Sequence, residues 1–299
     1  MGDRVRVTVP ASTANLGQGF DCMALALGLR NTIELSPAET GFEMTIDGEG
    51  ADRLRRDRGN LILRAADALW KRVGFDSGGL SVRAGNGIPL GSGLGSSAAA
   101  TVGGLVAANA LAGEPLSNTE LLKLAYDIEG HPDNASAALL GGLTLVSVDG
   151  DDVLVERLDV PPQAVVIALP DVRLSTRDAR RALPSSVPLR VAVFNIGRSL
   201  LVARALQSGD YAMLGRAMED RLHQPYRRGL IPGFDAAERA AKEFGAAAVA
   251  LSGAGPSVAA FAPDRHAEIA EAMQKAFERQ RIRCRTFVLP VEAHGAQVG

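Results

Sequence analysis

The segment from Pro89 to Ala99 carries the clearest chemical signal in this chain of 299 residues. Its residues are Pro89, Leu90, Gly91, Ser92, Gly93, Leu94, Gly95, Ser96, Ser97, Ala98 and Ala99. Three glycines within five positions allow the backbone to turn with its N–H groups exposed. Because the two serines then open a helical pattern, free amides and the positive end of a helix dipole converge on one point. The segment therefore predicts an anion site, most simply a phosphate site.

Two common types of phosphate loop are excluded by single positions. A Walker loop needs a lysine next to its serine or threonine, and no lysine lies nearby. A dinucleotide fingerprint needs glycine where Ser96 stands. Without a lysine, the phosphate charge must be met by amides, Mg²⁺ and arginines, and the hydroxyls of Ser96 and Ser97 suit magnesium or phosphate oxygens. A short glycine pattern could belong to a loop that only caps a buried helix. The eleven residues found here form a more specific pattern, which favours a phosphate site.

The elements around this loop follow from apolar periodicity and capping signals. Strands are predicted at 5–9, 24–35, 42–47, 80–84, 143–148, 153–158, 164–169, 247–251, 258–262 and 286–291. Helices are predicted from 61 after Asn60, at 96–111, at 119–128 with a Ser117–Glu120 capping box, after Pro132, and at 176–183, 189–207, 211–223 and 234–244. A last helix is predicted after a cap at Asp264. Residues after Val291 are expected to fray. The pattern predicts a mixed α/β protein with two domains, 1–155 and 156–299.

Composition excludes several classes of function. The net charge is −2 and no long basic tract occurs, which argues against binding to nucleic acid or a polybasic membrane anchor. The most apolar long stretch, Ala98–Gly113, is too short to span a bilayer, and the first ten residues read as a strand and not as a signal peptide. The two cysteines and four histidines have no metal-site spacing. We therefore expect a soluble cytoplasmic protein with no membrane partner.

Three motifs together resemble the superfamily of galactokinase, homoserine kinase, mevalonate kinase and phosphomevalonate kinase. They are Val9–Asp21, the phosphate loop and Leu251–Ser257, and they occur in the expected order. Four segments resemble homoserine kinases in particular: Val9–Asp21, Glu129–Asn134, Thr176–Arg180 and Asp220–Arg227. The Pro-Gly-Arg/Lys segment typical of the sugar and mevalonate members is absent.

The resemblance implies an α+β fold of two domains. The N-terminal domain would resemble ribosomal protein S5 domain 2, the C-terminal domain would be ferredoxin-like, and the active site would lie between them. The implied reaction is ATP-dependent phosphorylation of the side-chain hydroxyl of L-homoserine to O-phospho-L-homoserine, a step toward threonine. A kinase for another small alcohol and a catalytically inactive ligand-binding relative remain alternatives, and a homodimer is left open.

An amino acid is a zwitterion, so its site needs a carboxylate for the ammonium group and cations for the carboxylate. Asp21 could supply the first, with Asn15 bonding the amino or hydroxyl group. Arg180 and Arg227 could supply the second as planar forks. The resemblance implies these same four positions as substrate contacts. Taken singly, each charged residue could equally be a turn carboxylate or part of a surface ion pair.

Glu129 is the expected magnesium ligand, with Ser97 or Ser96 beside it. By resemblance, Asn134 occupies the position where other members of the superfamily place a basic Asp, and an amide cannot accept a proton. Catalysis by positioning and charge stabilisation is therefore predicted. His131 and Asp133 are candidates for orienting or relaying a proton, although a hydrogen-bonded buried histidine is as good an explanation of His131. Gly253 and Gly255 are expected to fold over the ATP phosphates.

Overall fold

The computed structural model describes residues 4–299 and contains two β-sheets. The seven-stranded sheet comprises β1 (Val5–Asn15), β2 (Gly19–Ala38), β3 (Phe42–Gly48), β4 (Gly79–Asn86), β5 (Leu143–Asp149), β6 (Asp152–Leu158) and β11 (Gln297–Val298). The four-stranded sheet comprises β7 (Ala164–Pro170), β8 (Ala248–Leu251), β9 (Val258–Phe261) and β10 (Cys284–Pro290).

Ten α-helices accompany the sheets within the described residues. They are α1 (Leu61–Val73), α2 (Ser96–Leu111), α3 (Asn118–Glu129), α4 (Asp133–Leu140), α5 (Thr176–Arg181), α6 (Leu189–Ser208), α7 (Tyr211–Ala217), α8 (Gln224–Arg227), α9 (Phe234–Glu243) and α10 (His266–Glu278). The predicted Asn60 cap of α1 and the Ser117–Glu120 capping box of α3 are confirmed. No helix in residues 4–299 is both long and apolar enough to cross a membrane.

The long strand β2 organises the first sheet, whose order is β11-β1-β2-β4-β3. It pairs antiparallel with β1 and β4, and its early residues pair with β5, which continues to β6. Small residues let α2 pack closely on its neighbours. A Cβ on Gly104 would lie 2.4 Å from the carbonyl oxygen of Ile62 in α1, and one on Gly103 would lie 2.3 Å from Cδ1 of Ile33 in β2.

The second sheet has the order β10-β7-β9-β8 with every neighbour antiparallel. With α9 between β7 and β8, and α10 between β9 and β10, this is the ferredoxin-like arrangement, as predicted. Alternation along β7 divides its side chains between two cores. Val166 and Ala168 belong to the core under α9 and α10, whereas Val165 and Ile167 belong to the core of the first sheet. The two domains are therefore joined by shared apolar packing.

Three predictions about the C-terminal half are wrong. Asp264 does not cap α10, because Arg265 stands directly before the helix and no side chain caps it. The predicted helix 211–223 ends at Ala217, because the Asp220 carboxylate accepts the backbone N–H groups of Leu222, His223 and Gln224 and turns the chain into α8. Residues after Val291 do not fray, since β11 pairs with β1. The boundary between the two domains at residue 155 stays a prediction. The β5–β6 hairpin, which contains this residue, belongs to the first sheet.

Replacing Gly104 by alanine should destabilise the fold. Helix propensity alone predicts a gain of about 1 kcal/mol, whereas the clash with a backbone carbonyl in α1 predicts a loss of about 1–3 kcal/mol. Gly103→Ala is the matched control, because its neighbour is the end of a flexible side chain and a smaller loss is expected. Urea unfolding of both variants measures the difference. A Gly104→Ala protein as stable as the parent chain would contradict this packing.

Candidate active site

The phosphate loop has the backbone that its sequence predicts. Gly91, Gly93 and Gly95 have φ values of 62°, 79° and 70°, a region that favours glycine. Helix α2 begins at Ser96, and no side chain caps its first N–H groups. These amides therefore face outward without a protein side-chain acceptor, as an anion site requires.

A second glycine loop, Ser252–Ser257, braces the first from the other domain. The Ser252 hydroxyl donates to the carbonyl of Gly93 at 2.7 Å, and the Ser257 N–H donates to the carbonyl of Ser92 at 3.2 Å. A Cβ on Gly93 would lie 2.3 Å from the carbonyl oxygen of Ser252, so only glycine fits there. The two loops, distant in sequence, are in direct contact.

A cleft of about 500 Å³ runs between the two domains past both loops. Its lining on one side is largely apolar and includes Ile46, Leu54, Ile62 and Ala84. Its other side carries Asp21, Asn134, Arg180 and Arg227, and Gly253 and Gly255 also line it. Of the predicted ATP-binding positions, Gly91, Ser92, Gly93, Gly95, Ser96, Ser97 and Leu90 line the cleft. Leu94, Ala98 and Ala99 lie in the core, and Pro89 lines a neighbouring groove.

Asp21 and Arg180 form a bidentate ion pair at the polar side of the cleft. The two Arg180 Nη atoms lie 2.8 and 2.7 Å from the Asp21 carboxylate oxygens. The backbone N–H of Asp21 donates to Oδ1 of Asn15 at 3.0 Å, and Nδ2 of Asn15 donates to the carbonyl of Gly253 at 2.9 Å. Asn15 thus ties the Asp21 turn to the second glycine loop. Its direct contact with a substrate stays a prediction, since both ends of its amide already have protein partners.

Arg227 is a buried cation, with only 1% of its surface exposed. Its Nε donates to the carbonyl of Ala179 at 3.2 Å, its Nη1 lies 3.2 Å from Nδ1 of His223, and its guanidinium lies 5.1 Å from the Phe20 ring centroid. Burial and the nearby Arg180 lower the pKa of Arg227 to about 10, so it stays charged at neutral pH. Within residues 4–299 no carboxylate lies at ion-pair distance from it. A buried cation in this state favours an anion in the adjoining cleft.

His223 holds Arg227 in place, a role that the sequence did not predict. It is fully buried, its Nε2 faces the carbonyl of Gly17, and its Nδ1 faces the Arg227 guanidinium. A guanidinium cannot accept a hydrogen bond, so Nδ1 must be the acceptor and Nε2 the donor. The ring is therefore neutral, and burial lowers its pKa below the usual value. Its spacing of four residues from Arg227 on a turn of helix is the one sequence signal that could have indicated the pair.

Glu129 lies between two hydroxyls of α2. Ser97 Oγ donates to its Oε2 at 2.8 Å and Thr101 Oγ1 donates to its Oε1 at 2.7 Å. Ser96 instead donates to the carbonyl of Ile88, so Ser97 is the serine that joins Glu129. One carboxylate with a hydroxyl is a hard-oxygen set that fits Mg²⁺, which takes further ligands from phosphates and water. No cluster of three or more His, Cys, Asp and Glu side chains suited to a metal occurs in residues 4–299.

The segment His131–Asn134 lines the cleft beside the phosphate loop. His131 Nδ1 lies 3.1 Å from Asp133 Oδ1, which also accepts the N–H of Asn134. Burial disfavours the charged imidazole, but the hydrogen bond and charge of Asp133 outweigh it and raise the pKa of His131. Nδ2 of Asn134 donates to Ser12 Oγ at 2.9 Å, next to Gly95. Asn134, which is predicted to orient the reacting hydroxyl, thus lies beside the start of α2.

Comparison with known proteins agrees with this geometry. The model of the GHMP kinases N terminal domain matches residues 60–142, and that of the GHMP kinases C terminal domain matches residues 202–279. Homoserine kinase of Moorella thermoacetica is 45% identical over 293 residues, which cover 98% of this chain and 99% of the relative. Homoserine kinase of Synechococcus sp. strain CC9605 is 44% identical over 302 residues, covering 99% and 96%. The crystal structure of homoserine kinase from Cytophaga hutchinsonii superimposes with a TM-score of 0.90 at 33% identity, covering 100% of this chain and 98% of that one.

The two-domain α+β fold with a lysine-free glycine loop at the start of α2 is that of a GHMP kinase, as predicted. Within that class, the full-length identity with the relatives above is decisive. The chain belongs to the homoserine kinase family.

The neutral state of His223 predicts a loss of stability in acid. Because its pKa is lower in the folded protein than in the unfolded chain, the unfolded chain binds more protons below about pH 6.5. Stability should therefore be full above that pH and should fall as the pH drops toward the folded pKa. His223→Gln keeps an N–H donor for Gly17 and an oxygen acceptor for Arg227 but cannot titrate. Urea unfolding between pH 7.5 and 5.5 should show a shallower pH dependence for this variant, and equal slopes would contradict the assignment.

Proposed function

We propose that this chain transfers the γ-phosphoryl group of ATP to the side-chain hydroxyl of L-homoserine, giving ADP and O-phospho-L-homoserine. GHMP kinases use ATP as the phosphate donor, and relatives named homoserine kinase match the chain over nearly its whole length. The observation that carries the choice of substrate is the buried guanidinium of Arg227, which lines the same cleft as the phosphate loop and has no carboxylate at ion-pair distance within residues 4–299.

The polar side of the cleft carries both charges that an amino acid needs. Asp21 would receive the ammonium group, and Arg180 and Arg227 would receive the carboxylate. The Asp21–Arg180 ion pair would then open, and each partner would gain an oppositely charged group of the substrate. Each charge-assisted hydrogen bond contributes about 1.5–3 kcal/mol, so neutral alcohols should bind far less well.

The chain would act mainly by positioning. The loop amides and the start of α2 would hold the phosphates, and the apolar side near Ile46, Leu54 and Ile62 would take the base. Asn134 would orient the hydroxyl of homoserine for attack on the γ-phosphorus. The hydroxyl oxygen would bond to this phosphorus while the bond between the phosphorus and the leaving oxygen of ADP breaks. The transition state of phosphoryl transfer is loose, so the hydroxyl proton can pass to phosphoryl oxygen or water with little help from a basic side chain.

Ser97 and Glu129 would hold Mg²⁺ beside the phosphates, with Thr101 keeping the carboxylate in place. When bound, the ion neutralises charge on the β- and γ-phosphate oxygens. The hydrogen bond from Ser97 to Glu129 already brings the two ligand side chains together in the structure.

An ADP-release assay over a panel of acceptors tests the substrate. We expect turnover with L-homoserine and none with mevalonate or galactose. Activity on mevalonate or a sugar but not on L-homoserine would identify a kinase of another alcohol. ATP binding without turnover of any acceptor would instead identify an inactive ligand-binding relative.

Arg227→Met should raise the KM for L-homoserine by at least about tenfold, since one or two charge-assisted bonds of about 1.5–3 kcal/mol are lost. The KM for ATP should change little, because the loop amides are untouched. Arg228→Met is the matched control: this neighbouring arginine is half-buried, pairs with Asp235 and Glu238, and does not line the cleft. Steady-state kinetics with each substrate varied in turn separates the effects. An equal rise in both KM values for Arg227→Met would contradict the carboxylate role.

Glu129→Gln should raise the Mg²⁺ concentration needed for half-maximal activity, because a neutral amide is a weaker ligand for a hard cation. Glu120→Gln, at the other end of α3, removes the same charge from an exposed capping box and should leave the metal dependence unchanged. Rates measured over a Mg²⁺ titration at fixed ATP test the difference. If Glu129→Gln needed the same Mg²⁺ concentration for half-maximal activity as the parent chain, Glu129 would be excluded as a magnesium ligand.

A further inference from the structure

A groove of about 1280 Å³ lies beside the cleft and meets it at the phosphate loop. Leu90, Gly91, Leu174 and Ser175 line both the groove and the cleft. None of the charged residues on the polar side of the cleft lines the groove. A solute that crosses this groove therefore reaches the phosphate loop without passing the polar side of the cleft.

Arginines dominate the charged lining of this groove. Five arginines and three carboxylates line it: Arg53, Arg173, Arg281, Arg283 and Arg285, with Glu49, Asp171 and Glu278. The whole chain, by contrast, has a net charge of −2. The positive charge is therefore a local feature of the fold, and we call this depression the arginine groove. Because guanidinium groups stay protonated at every pH near neutrality, their charge does not depend on the pH.

Three of the five arginines have carboxylate partners. They are Arg283 with Asp171 at 2.5 Å, Arg285 with Glu49 at 2.7 Å and Arg53 with Asp52 at 3.9 Å. In each pair the opposite charges largely cancel when the pair acts on a more distant ion. These three arginines therefore contribute little to the field that a ligand meets in the groove.

Arg173 and Arg281 carry the uncompensated charge. Neither has a carboxylate at ion-pair distance in the part of the chain that the structure describes. The remaining carboxylate of the groove, that of Glu278, accepts from Nε2 of Gln274 at 2.8 Å instead. Both arginines are exposed. Arg281 also has a φ of 62°, in the left-handed region that favours glycine, so a long cationic side chain is kept there at a conformational cost.

The arginines that line the cleft are occupied by other groups. Arg55 pairs with Asp57, and Arg180 pairs with Asp21. Arg227 is buried and receives the carboxylate of the amino acid in the proposed function. The phosphate loop itself contains neither lysine nor arginine. The free positive charge that adjoins the loop is therefore that of the arginine groove.

A field of this kind acts on ATP but not on the amino acid. ATP and its Mg²⁺ complex are anions at neutral pH, whereas L-homoserine is a zwitterion without net charge. A groove lined by one sign of charge raises the association rate of an oppositely charged ligand by about 10- to 1000-fold. The effect extends over about one screening length, which is about 8 Å at physiological ionic strength. It therefore weakens as salt is added.

We propose that the arginine groove guides ATP to the phosphate loop by its electrostatic field. This inference rests on the proposed function, because it takes ATP as the phosphate donor. The free guanidinium groups of Arg173 and Arg281 raise the local concentration of the nucleotide at the open end of the loop. Once bound, the nucleotide is held by the loop amides and the cleft, so the groove acts on its arrival and not on its release.

Stopped-flow binding of a fluorescent ATP analogue, N-methylanthraniloyl-ATP, tests the proposal. Its association rate constant should fall with added NaCl, since screening shortens the reach of the field from about 20 Å to about 4 Å between 20 and 500 mM salt. R173Q/R281Q should lower this rate constant by at least about threefold at low salt and should match the parent chain at high salt. The dissociation rate constant should change little.

Two further double variants separate charge from contact. R239Q/R279Q removes the same charge from exposed positions that line neither the groove nor the cleft, and it should change association much less. R173K/R281K keeps the charge but not the planar fork, so it should retain the association rate and the salt dependence of the parent chain. Equal salt dependence in R173Q/R281Q and the parent chain would overturn the proposal. Faster dissociation with unchanged association, or a lysine variant as slow as R173Q/R281Q, would overturn it in favour of a direct contact with bound nucleotide.

Steady-state kinetics distinguishes this proposal from the proposed function. At saturating ATP, R173Q/R281Q should have the parent kcat and the parent KM for L-homoserine, because a zwitterion is not guided. A rise in that KM as large as the loss of nucleotide association would contradict the guidance of ATP. A parent chain that binds the analogue with the expected salt dependence but does not phosphorylate L-homoserine would contradict the proposed function alone. A parent chain that binds no nucleotide would contradict both.

Discussion

The positive charge of Arg227 is the constraint on which the polar side of the cleft depends. A guanidinium removed from water costs several kcal/mol unless anions or acceptors face it. Its direct contacts are with the neutral groups of Ala179, His223 and Phe20, while the charges of Arg180, Asp21 and Asp220 act on it from farther away. A π-face and two hydrogen bonds offset part of that cost. An anion that entered the cleft would offset the remainder, so in the proposed function the cost of burying this charge would become affinity for a carboxylate.

The same constraint determines the surroundings of Arg227. His223 must be neutral to accept from it, which leaves the other ring nitrogen to donate to Gly17 and so to fix the turn leading to Asp21. The backbone of His223 is in turn held by the Asp220 carboxylate, which accepts from Asn195 in α6. One buried network therefore connects the Asp21 turn, the short helix α8 and the long helix α6. Hydrogen bonds link Asn195, Asp220, His223 and Arg227 in turn, and such a connected network makes the surroundings of the guanidinium rigid.

Local features could be predicted from the sequence, and long-range ones could not. The start of α2 at Ser96, the Asn60 cap and the Ser117–Glu120 box depend on residues within one or two turns, and the structure has all three. The end of α7 depends on a side chain that binds the next turn, and periodicity alone extended the helix past it. The pairing of β11 with β1 joins the two ends of the chain, which no local pattern records. Thr101 was missed because its partner lies 28 residues away, and so was the contact of His223 with Gly17, 206 residues away; only the spacing of His223 from Arg227 was a local signal.

The two sides of the cleft hold charge in different ways, and one loop connects them. Phosphates would meet backbone dipoles, which need no side-chain ordering, whereas the amino acid would meet side-chain charges. The loop Ser252–Ser257 contacts both sides: Ser252 donates to Gly93 of the phosphate loop, and Asn15, which holds the Asp21 turn, donates to Gly253. The separation of the two subsites is thus determined by hydrogen bonds through a single short segment. If the reaction proceeds by positioning, as proposed, this separation is the quantity that the fold must control. The segments Val9–Asp21, Pro89–Ala99 and Leu251–Ser257 are far apart in the chain. They line one cleft because hydrogen bonds hold each of them against another.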